Sequence, residues 1–103
     1  MDKMLLKVLL SQTYGTRFKP GAPKPLITVT DWLDGVNYAL SYFELHFTEG
    51  LTIETGAQFS KIATADKLQR KVAYVEGYKD AVDTLDKING ADTTVLKHNI
   101  PEL

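Results

Sequence analysis

Apolar residues open the chain. Met4, Leu5, Leu6, Val8, Leu9 and Leu10 are interrupted only by Lys7, and a run this short fits a buried strand or a short helix, because periodicity alone does not separate the two. The turn-rich Gln12-Thr13-Tyr14-Gly15-Thr16 that closes the run favours a strand over 4–11. Between Gly15 and Pro25, three prolines and two glycines deny the backbone regular hydrogen bonding, which predicts a flexible loop near 12–25. Leu26-Ile27-Thr28-Val29 then reads as a second short strand, its β-branched residues suited to a pleated surface.

From Thr30 the pattern changes. Thr30, Asp34, Asn37, Ser41, Glu44 and Thr48 are separated by 4, 3, 4, 3 and 4 positions, one polar stripe along an α-helix where a strand would show alternation. This predicts a helix over 31–48, with Thr30 as N-cap, Asp31 in the first turn and Gly50 as the stop. Trp32, Leu33, Val36, Ala39, Leu40, Phe43 and Phe47 fill its remaining arc and make it the expected centre of the core. Leu51-Thr52-Ile53-Glu54-Thr55 alternates as a half-exposed strand does, while 57–63 fits no single pattern. A second helix is expected over 64–88, with Leu68, Val72, Val75, Tyr78, Val82 and Leu85 on one face and Asn89-Gly90 as a left-handed stop. Asp66 with Arg70, and Asp83 with Lys87, are spaced as i,i+4 ion pairs. Thr93-Thr94-Val95-Leu96 adds a possible strand, before a loose tail near 98–103.

These elements predict one α+β domain spanning 1–103, with two helices packed on a small, mainly antiparallel sheet. An all-α arrangement follows instead if the first segment is helical. The chain's 103 residues leave room for one core, and 44% hydrophobic with 24% charged residues is a globular composition. The absence of cysteine excludes disulfides, thiol nucleophiles and zinc-thiolate sites, and a small unstapled domain points to the cytoplasm. No apolar run approaches the roughly 20 residues that span a bilayer, and residues 1–13 match a signal peptide poorly. The overall charge of −1 hides an asymmetry: residues 1–30 hold five cations and one acid, a net of +4, against −5 for the remainder.

The second helix carries the most suggestive pattern. Ala73, Gly77 and Ala81 recur every fourth residue, a stripe without bulk, with Tyr74 and Tyr78 beside it. A glycine inside a helix costs about 1 kcal/mol relative to alanine, so a closely packed partner would give Gly77 a purpose. That partner is either the first long helix or another chain. Two helices buried over wide arcs are hard to cover with a few short strands, which makes these five residues the leading candidates for a homodimer or protein-partner interface. Tyr14, Arg17, Phe18, Lys19 and Lys24 are the alternative site: aromatic rings stack on bases while cations hold phosphates, as in single-stranded nucleic-acid binders. No recognition motif accompanies them, and the net charge opposes non-specific nucleic-acid affinity.

Catalytic chemistry is thinly represented. His46 and His98 have no acid at metal-pair spacing, Glu44, Glu49 and Glu54 have no derivable separation, and Asp80, Asp83 and Asp86 lack the spacing of a calcium loop. No phosphate-cradling glycine motif occurs. The expectation is therefore a non-enzymatic interaction or regulatory protein that binds another macromolecule as a homodimer, without cofactor, metal or membrane, with nucleic acid as the second choice of partner.

Overall fold

A computed structural model describes residues 2–18, 26–47 and 67–101. Among these the chain is helical and contains no strand: α1 (Lys3–Arg17), α2 (Leu26–Ser41), α3 (Lys67–Asp86) and the short α4 (Thr94–His98) follow in order. The expected α+β fold with an antiparallel sheet is therefore corrected to a small helical domain. The segments near 4–11, 26–29 and 93–96 are helical rather than extended, and the alternating segment 51–55 lies outside the described residues, as does 57–63.

The first segment is a helix because its inward face continues past the apolar run. Leu6 and Leu10 are buried, and Tyr14 and Phe18 pack partly buried against the same core, so contacts recur every fourth residue through the stretch that resembled a turn. Lysine, methionine and leucine are good helix formers, and Val8 is the one β-branched residue among 3–10. Asp2 caps the start, its carboxylate accepting from the Leu5 N–H at 3.0 Å. Thr13 and Thr16 return their hydroxyls to the carbonyls of Leu9 and Gln12. Residues 12–17 of the expected loop thus belong to α1, and 19–25 lie outside the described residues.

Helix α2 starts and ends earlier than the expected 31–48. Val29 is buried with Leu33, Val36 and Leu40, so the stripe that anchors the helix reaches back before Thr30, which is itself buried rather than a cap. The helix stops without glycine. Glu44 adopts φ 56°, the Leu45 N–H donates to the Leu40 carbonyl and the Glu44 N–H to that of Ser41, both at 3.1 Å; this is a Schellman closure with a non-glycine residue in the left-handed position. Asn37 then holds the departing chain, its Nδ2 donating to the Phe47 carbonyl at 3.0 Å and its Oδ1 accepting from the Phe47 N–H at 2.7 Å.

α3 ends at Asp86, short of the expected 88, where the Lys87 and Ile88 N–H groups donate to the Thr84 and Leu85 carbonyls; Gly90, at φ 87°, turns the chain after the helix instead of stopping it. Asp86 bonds the Thr93 hydroxyl and the Lys97 ammonium, and the buried Tyr78 hydroxyl donates to the Leu96 carbonyl at 2.7 Å. These contacts hold 93–98 as α4, with Leu96 buried.

The principal helix contact is between α2 and α3, with α1 packed more lightly on α3. Side chains at two positions are missing from that contact by necessity. A Cβ on Gly35 would lie 1.9 Å from the Tyr74 carbonyl oxygen, and one on Gly77 1.9 Å from the Trp32 carbonyl oxygen. The two backbones therefore touch reciprocally, each glycine Cα–H directed at a carbonyl of the other helix, a weak attraction of about 0.5–1 kcal/mol per contact. Ala39, Ala73 and Ala81 are buried alongside, while Trp32, Tyr78, Leu40 and Leu85 fill the flanks, each worth roughly 1.5–3 kcal/mol on burial.

Replacing Gly35 or Gly77 by alanine should destabilise the fold by at least about 2 kcal/mol, because backbone must move to admit the methyl group. Gly15 faces open space, so Gly15→Ala should stabilise by about 0.5–1 kcal/mol. Urea denaturation of the three variants checks both signs; equal effects at all three would contradict the close approach.

Candidate functional site

The small-residue stripe meets the same chain. Ala73, Gly77 and Ala81 are buried, so they offer no surface to a second molecule, and Gly77 has in the Trp32 backbone of α2 the close partner that its cost demands. The basic-aromatic candidates are likewise engaged. Tyr14 and Phe18 pack around Trp32, with ring centroids 6.0 and 5.5 Å from it. The Arg17 guanidinium holds both oxygens of Asp80 and reaches Glu76 at 3.1 Å; its pKa is raised, first by the hydrogen bond to Asp80. Lys19 and Lys24 lie outside the described residues.

Asp80 is a junction of three helices. It accepts from Arg17 of α1 and from the Trp32 indole N–H of α2 at 2.7 Å, one turn from Gly77, which meets the Trp32 backbone. A second clamp joins α3 to α2 through Arg70 and the buried Asp31 carboxylate, 3.2 Å apart. Arg70 thus pairs across helices, while Asp66, the i,i+4 partner that its spacing predicted, lies outside the described residues. Neither the Asp83–Lys87 pair nor a three-ligand metal cluster occurs among the described residues.

The remaining candidates, Tyr74 and Tyr78, belong to a larger constellation. Their rings and that of Tyr42 surround Tyr38, with centroids 6.1, 5.8 and 5.9 Å from it, and Tyr38 and Tyr42 are stacked at 24°. Asp34, Tyr38 and Tyr42 follow one line at i, i+4 and i+8. Tyr78 is buried and Tyr74 partly so, but Tyr38 and Tyr42 are 42% and 46% exposed. The result is an open aromatic surface with a carboxylate at one end. Tyr38 and Tyr42 were missed in the sequence because the helix looked buried over most of its arc; their i,i+4 spacing, matching Tyr74 and Tyr78, was the available signal.

No protein-family model, curated protein or solved structure matches this chain. The site must be read from its own chemistry.

Burial, with Tyr38 and then Asp34 nearby, pushes the Tyr74 phenol up to about 12. Burial likewise raises Tyr78, and Tyr42 is raised first by its hydrogen bond to Tyr38. A phenol serves as base or nucleophile when its pKa falls towards neutrality; these shifts run the other way and keep the rings neutral, suited to contact. The histidines stand apart from this cluster. His46 lies beyond the end of α2 at Ser41, and His98 is exposed in the last turn of α4. Glu49 and Glu54 lie outside the described residues. No helix among those described is long and apolar enough to cross a membrane.

Burial raises the Asp31 carboxyl above 3.8 despite its bond to Arg70, and raises Asp34 as well, with Asp31 adding to it. A carboxyl raised in the folded state binds more protons there than in the unfolded chain, so its contribution to stability is complete below 3.8 and is lost as pH rises through the raised value. Relative to Asp31→Asn, the wild-type protein should lose stability from pH 3.8 upward, and urea midpoints measured from pH 3.5 to 6.5 provide the slope. Parallel profiles for the two proteins would contradict the burial of that charge.

Proposed function

We propose that this chain is a non-enzymatic interaction protein that binds a second copy of itself through the tyrosine surface of α2 and α3. The observation that carries the reading is the exposure of Tyr38 and Tyr42, stacked and supported from below by Tyr74 and Tyr78. Tyrosine brings a large contact area at small conformational cost and is enriched in protein interfaces. Rings already braced by their neighbours lose little freedom on docking.

The charge pattern favours a two-fold arrangement. With a dyad at Tyr38 and the two α2 helices antiparallel, Asp34 of each copy faces Tyr42 of the other. The two carboxylates then lie about 12 Å apart along the helix direction, and each phenol can donate to the opposing carboxylate. The surface first suggested for a homodimer, the small-residue stripe, takes no part.

Light scattering over a concentration series tests the proposal. The wild-type mass should rise from monomer to dimer, while Tyr38→Ser/Tyr42→Ser, checked for an unchanged helical spectrum, should weaken association at least about tenfold, the effect of losing a central aromatic contact. A wild-type monomer at all concentrations contradicts the proposal. Mass gained only on adding a single-stranded oligonucleotide would favour nucleic-acid binding instead.

A further inference from the structure

A different surface has the makings of a ligand site. A cleft of about 260 Å³ opens between the first half of α1 and the chain that follows α2. Its floor is apolar, built from Leu6, Leu10, Leu40 and Phe47, with Leu45 on the wall. The Schellman closure at Glu44 places this wall, and Asn37 fixes it by gripping both backbone groups of Phe47.

The rim is cationic. Lys3 and Lys7, one turn apart on α1, border the cleft together with His46. Neither lysine has an ion-pair partner among the described residues, and α1 itself contains no acidic residue. The nearest acids in sequence are otherwise placed: Asp2 is engaged with the Leu5 N–H, and Glu44 is not among the residues lining the cleft. Two ammonium groups without an ion-pair partner among the described residues, above an apolar floor, define the complementary ligand as an apolar chain ending in an anion.

We infer that this cleft binds a medium-chain alkyl carboxylate, the chain on Leu6, Leu40 and Phe47 and the carboxylate between Lys3 and Lys7. The volume sets the length, since it falls just below the roughly 300–1,000 Å³ of ordinary ligand pockets. A short chain fits and a long one overruns. The inference is independent of self-association, because Tyr38 and Tyr42 do not line the cleft.

Titration with octanoate, followed by amide chemical shifts of the full chain, tests it. The largest changes should fall at Leu6, Leu10, His46 and Phe47. Affinity should rise about fourfold per methylene from butanoate to octanoate, the transfer value of a buried CH₂, then level off beyond the chain length the cleft holds. Octan-1-ol should bind at least tenfold more weakly, and Lys3→Gln/Lys7→Gln should bring octanoate down to the level of the alcohol. Equal binding of octanoate and octanol would overturn the inference, as would shifts scattered over the surface. Shifts confined to Met4, Val8 and Gln12 with an acidic apolar peptide, and none in the cleft with octanoate, would also overturn it and assign the face to a protein segment.

Discussion

The two glycines that admit a neighbouring carbonyl set the geometry from which the rest of this fold follows. Gly35 receives the Tyr74 carbonyl and Gly77 that of Trp32, so α2 and α3 meet backbone to backbone. At such a distance, residues one turn away are brought within reach of each other. Asp80 takes the Trp32 indole and Arg17, Arg70 takes Asp31, and Tyr38 lands among Tyr42, Tyr74 and Tyr78. Each polar clamp has a defined geometry only because the helix separation beneath it is defined.

The charged clamps do more for register than for stability. Burying the Asp31 carboxylate carries a desolvation cost that Arg70 offsets only in part, as the raised pKa records. Removing one partner strands the other, so the pairs penalise alternative alignments of the helices. The same economy of charge distinguishes the two candidate surfaces. The tyrosine face is neutral apart from Asp34, which suits an identical partner, whereas the α1 cleft has Lys3 and Lys7 at its rim, which suits an anion.

Part of this was legible in the sequence. The existence of two long helices and a close partner for Gly77 follow from spacing and from the backbone freedom of glycine. The helical class of 4–11 and 26–29 does not, because a short apolar run taken alone fits a strand as well as a helix. Leu6, Leu10, Tyr14 and Phe18 show the period only when the polar residues between them are kept in one window, and Val29 joins its stripe only with Leu33, Val36 and Leu40. The end of α2 was hidden for another reason: glutamate occupies the left-handed position that glycine was expected to hold, and tertiary contacts of Leu45 and Phe47 compensate. Of the candidate residues, Tyr74 and Tyr78 entered the surface proposed for binding. Tyr14, Arg17 and Phe18 combined aromatic and basic character for a structural purpose, a distinction that sequence spacing does not carry because Trp32 and Asp80 are distant in the chain.

Amide hydrogen exchange under native conditions measures most directly whether the glycine contact is the organising element. The account predicts that the slowest amides lie at 36–40 and 77–82, opening only with global unfolding, and that α1, which packs more lightly, opens at lower free energy. Protection greatest in α1, or no slower around Gly35 and Gly77 than elsewhere in the helices, would contradict it.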